Sequence, residues 1–159
     1  AQDSLTDGRV RYWHAIALAW RGRHAASLAT LSALVSTGGL SHGLSETERL
    51  SVLTAIPDLL LLGGDEDGAR VRYRMLAASP LPELAAWGTY RQAGLDLAAG
   101  RYAAAQAAYA EVCAGTQPGP WREQACELEA IAGRLARLRE KGETYGVAYD
   151  RPRGPAGER

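Results

Sequence analysis

The chain has 159 residues, 47% of them apolar and 23% charged, and its 18 basic and 18 acidic side chains cancel. That is enough chain for one domain with a core. The balance excludes the global electrostatic footprint of a nucleic-acid binder, and the lack of any run near 18 apolar residues excludes a membrane-spanning helix.

In chain order the pattern predicts a polar, flexible N-terminus over residues 1–8. A first helix follows from Arg9 to Trp20, with Asp7 as its N-cap. Gly22 breaks it, and a second helix runs from His24 to Ser36. Ser45-Glu46-Thr47-Glu48 reads as a capping box that opens a third helix to Leu62. Pro57 lies inside this helix, removes one backbone hydrogen bond and predicts a kink. Gly63-Gly64 ends it, and a fourth helix runs from Asp65 to Ala78, its acidic start suited to the positive helix end. Pro82 opens a fifth helix to Ala99. A sixth runs from Tyr102 to Ala114. A seventh spans Trp121 to Lys141 and stops at Gly142. Residues 142–159 are Gly-, Pro- and Arg-rich and read as a disordered tail. No strand pattern of useful length occurs.

One phrase recurs three times. Gly22 is followed by Ser27, Leu31 and Leu34; Gly64 by Ala69, Tyr73 and Leu76; Gly100 by Ala105, Tyr109 and Val112. The offsets from each Gly are 5, 9 and 12, so the three positions share one helical face. The Gly-to-Gly spacings of 42 and 36 residues imply stacked helical hairpins. The expected fold is therefore all-α: a solenoid of three antiparallel helical hairpins plus a C-terminal capping helix over residues 9–141. The alternating Arg and Glu of the seventh helix suit a cap that faces water.

These units resemble tetratricopeptide repeats, whose period is about 34 residues. Gly100 and Tyr102 fit the family's turn glycine and the aromatic after it. Ala105, Tyr109 and Val112 fit its small, large and small packing positions, and Pro118 stands one residue from its terminal proline. Ala69, Tyr73 and Leu76 fit the same three positions, as do Leu31 and Leu34, with Ser27 in place of the usual Ala. The family's Trp, Leu and Gly positions fall on Arg11, His14 and Ala15, on Leu53, Ile56 and Pro57, and on Thr89, Gln92 and Ala93, with Trp13 and Trp87 displaced by two residues. The likeness is to a divergent member.

The resemblance implies a concave groove, lined by the first helix of each hairpin, that takes a peptide or protein. By position its residues are Arg9, Tyr12 and Ile16; Ser51, Thr54 and Asp58; and Trp87, Tyr90 and Arg91. Aromatic and Arg side chains suit interface anchors, the aromatics for buried area and Arg for clasping a carboxylate. The competing reading makes Tyr12, Trp87 and Tyr90 core between hairpins. Arg70, Arg72 and Arg74 are spread around a helix and read as a solvated surface.

No catalytic residue and no cofactor are implied. His14, His24 and His42 lack metal-ligand spacing, and Gly63 to Gly68 lacks the distal Glu of a calcium loop. The expected function is a protein-binding scaffold or adaptor, with a bacterial envelope assembly as its setting. The alternative is a small-ligand-sensing domain of a larger signalling protein. Neither needs nucleic acid or direct membrane insertion.

Cys113 and Cys126 stand on consecutive helices, where antiparallel packing brings them within bonding distance. A bridge is expected, the alternative being two reduced, buried thiols. The start at Ala1-Gln2-Asp3, without Met, reads as a mature end left by signal peptidase or as a domain cut from a longer cytoplasmic protein. The first origin places the chain in the periplasm or outside the cell, where the bridge forms.

Overall fold

The computed structural model describes residues 2–38, 40, 43–116 and 120–149, with side chains described from residue 8 and not for residues 120 and 143–149. His42, Pro118 and residues 150–159 of the expected tail lie outside that set. The described residues are all-α: α1 (Gln2–Trp20), α2 (His24–Ser36), α3 (Glu46–Leu62), α4 (Glu66–Ala77), α5 (Pro82–Ala98), α6 (Tyr102–Ala114) and α7 (Pro120–Tyr149).

Two ends differ from the expected ones by more than one residue. α1 begins at Gln2 rather than Arg9, so Asp7 lies inside the helix and is not its N-cap. Residues 2–7 hold neither Gly nor Pro, and nothing in them stops a helix. α7 runs through Gly142 to Tyr149. Gly142 and Gly146 each cost a helix interior only about 1 kcal/mol against Ala, which a long hydrogen-bond ladder absorbs. Pro57 is buried inside α3, which continues unbroken past it.

The three glycines of the repeated phrase make the same turn. Gly22, Gly64 and Gly100 have φ of 73°, 85° and 73°, a region where a Cβ is strained. In each case two backbone N–H groups close the preceding helix. Gly22 N donates to Ala19 O and Arg23 N to Leu18 O; Gly64 N to Leu61 O and Asp65 N to Leu60 O; Gly100 N to Leu97 O and Arg101 N to Asp96 O. That pair of bonds is the Schellman motif, which satisfies carbonyls orphaned at a helix end. The residue after each glycine is the N-cap of the next helix, and its carbonyl accepts from the residue at offset 5: Ser27, Ala69 or Ala105.

Offsets 5 and 9 are sealed from water in all three copies, and offset 12 in two, with Leu76 half-buried. Ser27 is accommodated because its Oγ donates to Ala15 O at 2.8 Å, which ties α2 to α1. Tyr73 and Tyr109 take the offset-9 position that Leu31 fills in the first copy.

The chain divides into two compact units, Ala1–Gln92 and Ala93–Arg159, with the division inside α5. In the first unit α1 packs on α2, α2 on α3 and α3 on α4. Its core includes Tyr12, Ala15, Leu31, Leu34, Val52, Ile56 and Leu59. Ser45 and Glu48 form the expected capping box, and Arg9 Nε donates to Glu48 Oε1 at 3.1 Å, linking α1 to the start of α3. In the second unit α6 packs on α7, and Cys113 is bridged to Cys126. Arg139 Nη1 donates to Gly100 O at 2.6 Å, so α7 also holds the third turn.

Candidate functional site

The sequence-predicted groove residues separate into two groups. Asp58 from α3 and Trp87, Tyr90 and Arg91 from α5 meet around one centre. Arg9, Tyr12, Ile16 and Thr54 take other places. Arg9 is engaged by Glu48. Tyr12 is buried in the core with its ring edge-on to Trp13, and Ile16 packs against that core. Thr54 turns its hydroxyl back to Leu50 O and Ser51 O, a local bond common for Thr within helices.

The centre depends on how closely α5 approaches α4. A Cβ on Gly88 would sit 2.3 Å from Ala77 N and 2.6 Å from Tyr73 O, so only glycine permits this approach. Trp87 and Arg91 lie four residues apart on α5, with Tyr90 beside them, so one helical face carries all three.

Arg91 is the hub. Its Nη2 donates to Asp58 Oδ1 at 2.8 Å and to the Tyr73 hydroxyl at 3.0 Å. Its Nε reaches the same two atoms at 3.1 and 3.2 Å. Tyr73 donates a short hydrogen bond to the same Asp58 oxygen. The Arg91 guanidinium carbon also lies 5.3 Å from the centroid of the Tyr73 ring and 5.5 Å from that of Trp87, within cation–π range of both. Trp87 in turn stacks on Tyr90, with centroids 5.9 Å apart and planes at 26°.

Burial pushes the Tyr73 phenol far above its usual range, and Asp58 adds to the shift as acceptor and as charge. The phenol therefore stays protonated and donates. Burial pulls the Arg91 pKa down, but the Asp58 charge and the Tyr73 hydroxyl outweigh it, so the guanidinium is held charged. The centre is a neutral phenol between a matched ion pair. It is suited to fixing side chains rather than to moving protons.

No protein-family model, curated protein or solved structure matches the chain.

Arg91 and Arg9, the two polar anchors expected from the sequence, both hold carboxylates of their own chain. Tyr73 is the site residue the sequence reading missed. Its ring lies on the packing face of α4, as the repeated phrase predicts, and its hydroxyl passes beyond that face to Asp58 on α3. Among the described residues no group of three or more His, Cys, Asp or Glu is placed to hold a metal ion.

Proposed function

We propose that the chain is a divergent tetratricopeptide-like helical-hairpin solenoid that binds a protein or peptide, with the stacked Trp87–Tyr90 pair at the binding surface. The observation that carries this reading is the fixed presentation of that pair. Arg91, held by Asp58 and Tyr73, packs against Trp87 and sets the indole, and Tyr90 stacks on it. Aromatic pairs held in one geometry lose little entropy on binding and are typical of interface hot spots. Affinity comes from burying the two rings. Arg91 acts through them, since its charge is already matched by Asp58. The repeated turn supports the hairpin reading, and the Cys113–Cys126 bridge supports an oxidising location, periplasmic or secreted.

The test is a crosslinked pull-down from native extract with wild type and a Trp87→Ala/Tyr90→Ala variant of unchanged helical signal. The reading expects a discrete protein held by wild type and lost by the variant. Equal recovery on both would remove the pair from the binding surface.

A further inference from the structure

The outer face of α1 is not used by the core. Val10, Trp13, Ala17 and Trp20 recur at intervals of three and four residues, so they form one stripe nearly three turns long. All four are exposed: Val10 to 60%, Trp13 to 54% and Trp20 to 89%. The opposite side of the helix, with Tyr12, Ala15 and Leu18, is buried. A tryptophan left almost wholly in water forgoes most of its hydrophobic burial, and here a second stands two turns before it.

From residue 8 to residue 36 the charge is one-sided. Residues 8–36 carry Arg9, Arg11, Arg21 and Arg23 and no acidic residue, although the whole chain is neutral. Arg9 and Arg21 flank the stripe in the helical projection, and both are exposed. Arg9 is paired with Glu48, which is itself mostly covered. Asp3 and Asp7 precede the stripe on the same helix.

We infer that this face of α1 docks on an anionic lipid surface, with Trp13 and Trp20 entering the headgroup region and the arginines meeting lipid phosphates. The occupant must be anionic to match the arginines. It must also mould itself to a single convex helix, since the stripe is the outer face of one helix. A headgroup layer meets both needs. A helix lying in the interface plane with Trp on its apolar stripe and Arg beside it carries the chemistry of such binding. No described helix is long and apolar enough to cross a bilayer, so the contact is peripheral.

The test uses the full chain and vesicles of phosphatidylcholine, with and without phosphatidylglycerol. Wild type is expected to co-sediment only with the anionic vesicles, to be released by salt, and to show a blue shift of tryptophan emission on binding. Trp20→Ala, which removes the more exposed ring, should weaken binding and reduce the shift while leaving the melting temperature in place, and Trp13→Ala/Trp20→Ala should abolish both, with a small loss of stability from the Tyr12 ring contact. Arg21→Gln/Arg23→Gln should weaken partitioning about 25-fold, since each Arg near an anionic surface is worth about 1 kcal/mol, a factor of about five. Failure of wild type to bind, equal binding to both vesicle types, or undiminished binding by the double Trp variant would overturn the inference. So would a lipid-free dimer that disappears on Trp20→Ala, which would assign the face to a second copy.

Discussion

Gly88 and Tyr73 show how much single atoms decide in this chain. Gly88 sits mid-helix, where Ala would ordinarily gain about 1 kcal/mol. A Cβ there would press on the backbone of Tyr73 and Ala77, which cannot rotate away as a side chain can. Overpacking of this kind costs about 1–3 kcal/mol. Gly88→Ala should therefore lower stability by about 1 kcal/mol net in urea unfolding, whereas Gly142→Ala, with open space around it, should be neutral or stabilising. At Tyr73, the folded-state pKa lies above the unfolded one. Its contribution to stability is thus complete below the ordinary phenol pKa and is lost as pH rises through the folded value. Tyr73→Phe should leave the absorbance change at 295 nm between about pH 9 and 11 unchanged in the native protein, because Tyr73 does not ionise there. A smaller amplitude in the variant would show that the phenol titrates normally. Asp58, Trp87, Tyr90 and Arg91 are legible as candidates because the repeat resemblance puts them at groove-facing positions of first helices. The sequence pattern does not join them, since Asp58 and Arg91 are 33 residues apart and meet only through the approach that Gly88 allows.

At the scale of elements, the helices that were legible have chemical punctuation at both ends. α2 and α6 fall where expected because a positive-φ glycine precedes each and the packing offsets run without interruption. α3 starts at its capping box for the same reason. The start of α1 and the end of α7 lie away from their expected places because those ends lack strong signals: Asp7 is able to cap a helix and Gly142 to stop one, and neither does so here. The capping box also makes a pH prediction. The backbone hydrogen bond from Ser45 holds the Glu48 carboxyl below its usual range against the opposing effect of burial, helped by the Ser45 side chain and Arg9. A depressed folded-state pKa means stability that is present above the unfolded pKa and lost as pH falls through the folded value. Glu48→Gln should flatten the acid side of the stability profile, read from melting temperatures between about pH 3 and 6. An unchanged acid slope would place the linkage elsewhere.

For the whole molecule, the two units are held by different means. The first has an apolar core drawn from α1, α2 and α3 together with the Arg91 centre. The second relies on α6 against α7 and on a bridge across 13 residues. Closing a loop of that size contributes about 3 kcal/mol, chiefly by restricting the unfolded chain. Reduction, or Cys113→Ser/Cys126→Ser, should lower the melting temperature and reduce hydrogen-exchange protection in α6 and α7 first. Loss of protection beginning in α1 or α2 would contradict this division. The all-α class and the bridge could be anticipated from glycine spacing and cysteine placement. The exposed tryptophan stripe of α1 could not, because periodicity alone does not distinguish an apolar face turned to the core from one turned to water.

The most direct test of the proposed function is a photo-crosslinking residue placed at Tyr90 in the protein expressed in its native cells, with the same residue at exposed Arg72 on α4 as control. A binding surface built on the Trp87–Tyr90 pair predicts a discrete protein adduct from position 90 that is absent from position 72. No adduct from position 90, or the same adducts from both positions, would contradict it.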